Sequence, residues 1–191
     1  MSNVLTPKFR ASYAYVFVAQ PVTNPDGTPK LKDGVQVREF CITALFPLGE
    51  DMSALKAAAA AAVKERWGDN PPAKLRSPFR TEKEDGSLPD GLEAGAFYMK
   101  FKTTQKPGLV DARNQDIIDP VEFYSGCYAR ASVRPYAYGG PGTKFPAGVS
   151  FGLQNLQKLA DGEPLGGVRV KASDEFEAVA TEGGDASGLF D

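Results

Sequence analysis

The stretch GCYARASVRPYAY, Gly126 to Tyr138, decides how the rest of the chain is read. Successive side chains on a β-strand point to opposite faces, so the run divides by parity. One face carries Tyr128, Arg130, Ser132, Arg134, Tyr136 and Tyr138; the other carries Cys127, Ala129, Ala131, Val133, Pro135 and Ala137. The second face is small and apolar, as a face against a crowded core must be. The first alternates aromatic rings with guanidinium groups. Rings stack on unpaired bases and Arg meets phosphates, so this face suits a single nucleic-acid strand. A solvated antiparallel face in which Tyr and Arg pair across strands is the plainer alternative.

Ala96 to Thr104 repeats the design, with Phe97, Met99 and Phe101 inward and Tyr98, Lys100 and Lys102 outward. Lys8 to Gln20 is a further strand. Its parity puts Phe9, Ala11, Tyr13, Tyr15 and Phe17 on one face, and Arg10, Ser12, Ala14, Val16 and Val18 on the other. Val35 to Phe46 and Val149 to Leu159 complete the long strands, with Val168 to Lys171 as a short closing one. The segment Pro21 to Gly34, with its NPDG and KDG turns, joins the first two as a loop. Asp51 to Trp67 (DMSALKAAAAAAVKERW) is the one helix: it has six consecutive alanines, no internal Gly or Pro, Asp51 or Ser53 to cap it, and Gly68 to stop it. Small side chains let such a helix lie close to a sheet or seal the end of a small barrel. The fold class is mainly β with one helix and long loops.

Composition narrows the chemistry. The 191 residues fit one domain, and 42% hydrophobic with 24% charged residues supply an ordinary core. The chain contains no histidine, which removes His-based general acid–base catalysis, Ser-His-Asp or Cys-His nucleophiles and His-ligated zinc. Cys41 and Cys127 sit in strand-like patterns and read as buried thiols. With neither a signal-peptide pattern nor an apolar run of spanning length, the expected setting is cytoplasmic, away from membranes.

The net charge of −2 conceals an asymmetry. Six of the 24 acids fall between residues 174 and 191, a segment with no base, so residues 1–171 hold 22 basic against 18 acidic residues. A basic body therefore carries a detachable acidic tail. The expected division is a domain at 1–171 and a flexible tail at 172–191. Two loops add basic and aromatic groups: 69–95 bears Arg76, Phe79 and Arg80, and 139–148 bears Lys144 and Phe145. The latter lacks the GK[ST]-then-helix order of a phosphate-binding P-loop. Asp116, Asp119 and Glu122 could hold magnesium in a nuclease, but equally suit turn capping.

The segment FYSGCYARASVRPYAYG (Phe123 to Gly139), followed by GVSFGLQNLQKLADGEPLGG (Gly148 to Gly167), resembles a family of tailed-phage single-stranded DNA-binding proteins, once catalogued as a domain of unknown function. The likeness runs from the first strand to the GEPLGG turn. It implies a five-stranded OB-fold barrel that covers exposed strands in replication, recombination or repair, without catalysis and with no cofactor or metal. The usual OB order sets three strands before the helix, whereas two precede Asp51 here. Either Val35 to Phe46 bends to serve both halves of the barrel or the helix is an insertion.

Face parity, rather than the resemblance, selects the DNA-binding residues. Tyr98, Lys100, Lys102, Tyr128, Arg130, Arg134 and Tyr136 form the groove, and Arg76, Phe79, Arg80, Lys144 and Phe145 extend it. The ending GLFD is similar to the acidic C-terminal tails by which bacterial and phage single-stranded DNA-binding proteins recruit replication enzymes. Asp174, Glu175, Glu177, Glu182, Asp185, Leu189, Phe190 and Asp191 would engage a polymerase, helicase or primase and compete with DNA for the groove. Phe190 is penultimate rather than last, a departure from a terminal-Phe pocket. Exposed strand edges leave a homodimer open. The rival readings are a structural or assembly β-protein of a phage particle, whose Tyr/Arg face binds protein, and the magnesium nuclease.

Overall fold

The computed structural model describes residues 2–166 except 25 and 144. Lys144, the 168–171 strand and every tail residue from Asp174 to Asp191 therefore lie outside the described residues. The elements are β1 (Val4–Leu5), β2 (Phe9–Pro21), β3 (Leu31–Lys32), β4 (Val35–Gln36), β5 (Arg38–Leu45), α1 (Ser53–Trp67), β6 (Tyr98–Thr103), β7 (Gly108–Val110), β8 (Tyr128–Tyr138) and β9 (Gly148–Ala160).

Five strands close on themselves in the order β2-β5-β6-β9-β8, with β8 returning to β2 through Phe9↔Ala129 and Arg10↔Tyr128. All these pairings are antiparallel except β6–β9, which is parallel at Lys102↔Gly152. This is an OB-type barrel, and closure leaves no free edge within the ring. β1 and β7 add to β8 and β9 outside it, and β3–β4 make a separate hairpin between β2 and β5. The single strand expected over 35–46 is thus two, divided at Val37. β5 holds β2 on one edge and β6 on the other, so the helix is an insertion between the second and third ring strands.

Alternation fixes which side chains fill the barrel. Phe9, Ile42, Phe101, Phe151, Val133 and Leu153 are fully buried. Six phenyl rings meet edge to face in sequence, Phe46–Phe9–Phe101–Phe151–Phe79–Phe97, at centroid distances of 5.8 to 6.4 Å. The helix contributes Leu55, Ala59 and Ala62, spaced to lie along one face, and packs on β8, β9 and β1. Its alanines allow that close approach. Asp51 Oδ1 accepts the Ser53 N–H at 2.9 Å, satisfying one of the free donors of the first turn.

The segment 69–95 is pinned to the barrel. β6 and β9 meet only briefly, and residues 76–80 fill the seam above that meeting point. Arg76 donates its N–H to Ala147 O at 2.9 Å and accepts from Val149 N at 3.1 Å. Arg80 and Tyr98 exchange both backbone bonds, at 3.2 and 2.7 Å. Phe79, between these two attachments, packs inward on Phe97 and Phe151.

Candidate nucleic-acid interface

A groove of about 610 Å³ crosses the outside of the barrel over β5 and β6, walled by the 76–83 segment. β2 supplies Tyr13 and Tyr15, β6 supplies Lys100 and Lys102, and β8 supplies Tyr136 and Tyr138, while Arg76, Arg80 and Lys83 project from the wall. Tyr13, Tyr15 and Tyr136 are 49%, 44% and 45% exposed, so their rings are held at one edge and open to a ligand on the other.

Each ring has a local cause. On β2, Ser12 pairs with Thr43 but Tyr15 pairs with Cys41, so one extra residue is accommodated between them. Tyr13 sits in the left-handed region at φ 46°, which marks this bulge. Before it, Phe9 and Ala11 point inward; after it, Val16 does. The bulge therefore turns Tyr13 and Tyr15 outward, reversing the parity expected from the sequence. On β8, alternation persists through Pro135: it is buried, and Tyr136 and Tyr138 stay on the outer face with rings 6.2 Å apart. Gly148 makes room for the second ring, since a Cβ there would fall 2.6 Å from the Tyr138 ring.

The electrostatics favour an anion. Lys102, half exposed, pairs with the mostly buried Glu39 at 3.3 Å, and Arg80 reaches Glu84 at 4.0 Å in a solvated contact of small energetic weight. Among the described residues no carboxylate lies within 4.0 Å of Arg76, Lys83 or Lys100. Burial pushes the Cys41 thiol up despite the nearby Lys100 and Lys102, so it stays a neutral wall of an adjoining pocket that also holds Gln20 and Thr23.

Of the residues selected from sequence, the groove gathers Tyr98, Lys100, Lys102, Tyr136, Arg76 and Arg80. Tyr98 is 8% exposed and donates its hydroxyl to Glu82 O at 3.1 Å, fastening the wall. Phe79 anchors the same wall from below. Tyr128 lies near the opposite end of β8, where Lys8 Nζ sits 5.4 Å from its ring centre. Arg130 donates to Gln157 at 2.8 Å on the β8–β9 face, and Arg134 is exposed opposite Gly152. Phe145 stands 71% exposed on the 139–147 loop. Sequence parity missed Tyr13, Tyr15 and Lys83. The available signal was that parity put Tyr13 and Tyr15 on the face of Phe9 while Val16, which is buried, fell on the face of Arg10.

Of the acids that could have formed a metal site, Asp119 serves a turn, as does the nearby Asp111. Asp111 Oδ1 accepts the N–H groups of Arg113 and Gln115 at 2.8 Å, and Asp119 Oδ1 accepts that of Val121 at 2.9 Å. No group of three metal-binding side chains occurs among the described residues. Likewise, no helix among them is long and apolar enough to cross a membrane.

The family model described as the single-stranded DNA-binding protein of Enterobacter phage Enc34 matches residues 2–186. The chain belongs to this family. It is 30% identical over 132 residues, 64% of its length, to protein p50 of Acyrthosiphon pisum secondary endosymbiont phage 1, of which 68% is covered. The fold is similar to that of the bacteriophage Enc34 single-stranded DNA-binding protein solved in complex with single-stranded DNA. That likeness has a TM-score of 0.63 at 19% identity and covers 86% of this chain and 90% of that one. A second structure of the Enc34 protein gives 0.60 at 19% identity, covering 92% and 90%. At such identities the structural likeness speaks for the fold. Membership rests on the family match, and the family is one of binding proteins rather than enzymes.

Proposed function

We propose that this protein binds single-stranded DNA without catalysis, in the groove over β5 and β6, and protects exposed strands during phage DNA replication or recombination. The observation that carries the reading is the convergence of four tyrosines with five cations in one open groove, on the face that OB-type barrels use for oligonucleotides. Tyr13, Tyr15, Tyr136 and Tyr138 offer stacking surfaces worth about 1–3 kcal/mol per base and indifferent to its identity. Arg76, Arg80, Lys83, Lys100 and Lys102 neutralise phosphates, and counterion release makes affinity fall with salt. Membership in a family described by single-stranded DNA binding supports the same ligand.

The acidic segment 172–191 completes the proposal. Its six acids compete with DNA for the groove, and when DNA displaces them they become available, with Leu189 and Phe190, to replication proteins such as a polymerase or helicase–primase. Deleting 172–191 then tightens DNA binding at low salt; equal or weaker binding rules the competition out. The test of the central reading is titration of labelled oligothymidine and a matched duplex across a salt series. Salt-dependent binding with preference for the single strand supports it. Absence of such binding would return the groove to a protein-contact role.

A further inference from the structure

We propose that neighbouring copies of this chain dock head to tail, the β3–β4 hairpin of one copy against the 116–122 segment of the next. The assembly it would produce on DNA rests on the single-stranded DNA reading above.

The hairpin turns through Asp33 and Gly34, both at positive φ (52° and 80°), the backbone of a tight two-residue turn. Lys32 pairs with Val35, and Lys30 accepts from Val37 N at 2.8 Å, so Lys30, Lys32 and Val35 share one face. Val35 is 71% exposed on that face, directly across from Lys32 and diagonal to Lys30. The 116–122 segment has the opposite character. Ile118 and Val121 are 84% and 79% exposed, flanked by Asp116, Asp119 and Glu122. None of those acids makes an ion pair among the described residues.

These apolar side chains are not exposed through looseness. The segment is fixed at its start by Asp116's bridge to Val110 and buried Ile117, internally by the Asp119 turn, and at its end by buried Phe123. A fixed apolar pair among acids, and an exposed valine that shares its hairpin face with two lysines, are complementary in both charge and polarity. The two surfaces differ, so a contact made in one direction is heterologous, leaves one surface free at each end and by repetition extends into an open chain. An open chain matches a linear ligand. The contact involves few side chains and falls below the roughly 1,000 Å² of a stable complex. Neighbours on one strand meet at an effective concentration of about millimolar, where a weak contact becomes cooperative binding.

Charge reversal tests this with its own control. Lys30→Glu/Lys32→Glu gives two acidic surfaces and Asp116→Lys/Glu122→Lys gives two basic ones; Asp119 is spared because it holds its turn. Per-copy affinity is compared between an oligothymidine long enough for several copies and one that holds a single copy. The wild type is expected to bind the long strand at least tenfold more tightly per copy. Either variant alone loses that advantage while keeping its short-strand affinity, and an equimolar mixture of the two regains it. Equal affinities for the wild type, an advantage unaffected by reversal, or a mixture that does not recover would overturn the contact. If the wild type fails to bind even the short strand, the DNA reading falls by itself. Carbodiimide crosslinking without DNA then decides the contact: Lys30 or Lys32 joined to Asp116 or Glu122 between isotopically distinct copies supports it, and absence of such links overturns it.

Discussion

The two ends of β8 follow one sequence rule and do different work. At one end Tyr136 and Tyr138 face a groove with Tyr13, Tyr15 and the lysines of β6. At the other, about 26 Å away at strand rise, Tyr128 faces the same side of the same strand but meets the clasp that closes the chain. There Arg10 reaches Glu163 O at 2.6 Å, Lys158 holds Asp161 at 2.7 Å, and Tyr124 donates its hydroxyl to Asp161 at 3.0 Å. Alternation decides which face a side chain occupies. What that face can do depends on which other elements arrive beside it, and the 76–83 segment arrives at one end only.

That contrast can be broken most forcefully at the wall. Phe79→Ala removes the ring that seats the wall on Phe97 and Phe151, and should cost about 3 kcal/mol of stability, read as a lowered melting temperature. Phe145→Ala, at an exposed ring, should leave melting unchanged, and an equal loss from both would mean the wall is not anchored as described. Next in size is the stacking difference. Tyr136→Ala should weaken oligothymidine binding about tenfold, a stacking loss of about 1.4 kcal/mol, with the salt slope retained. Tyr128→Ala should change it less than twofold, and the reverse ranking in fluorescence titration would move the site to the clasp end.

How much of this was legible in the sequence varied from strand to strand. On β6 and β8 alternation runs uninterrupted, so Met99 and Phe101 fall inward and Tyr136 outward as parity dictates. On β2 it does not, because one inserted residue at a left-handed Tyr13 exchanges the faces, and the sequence hints at this only through the grouping of Tyr13 and Tyr15 with Phe9 while Val16 falls on the face of Arg10. The wall was invisible for a different reason. Its attachment uses main-chain groups of Arg76, Arg80 and Tyr98, which every sequence possesses, and Tyr98 is drawn under it by a carbonyl sixteen residues upstream. β1, β3, β4 and β7 are two or three residues long, too short for any period to register.

A finer comparison concerns charge. Replacing Lys100 and Lys102 by Gln should reduce the magnitude of the slope of log K against log salt by about 0.7 for each phosphate no longer neutralised, at most about 1.4. An unaltered slope would take both lysines out of the DNA path. The smallest effect is expected at the clasp. The Lys158 hydrogen bond, aided by that of Tyr124, holds the Asp161 carboxyl below the ordinary carboxylate range. A depressed folded-state value stabilises the protein above the unfolded pKa, and that contribution is lost as pH falls through the folded value. Asp161→Asn should therefore lower the melting temperature slightly at neutral pH, with the difference from wild type vanishing in acid and DNA affinity untouched. A difference that persists in acid would mean that the pair's charge is not its contribution.

The central claim is that DNA lies against the Tyr136 end of β8. Ultraviolet crosslinking to oligothymidine, followed by mass spectrometry of the linked peptides, reads this directly. The account predicts crosslinks at Tyr13, Tyr15, Tyr136 or Tyr138. Crosslinks confined to Tyr128 and Tyr124 would contradict it.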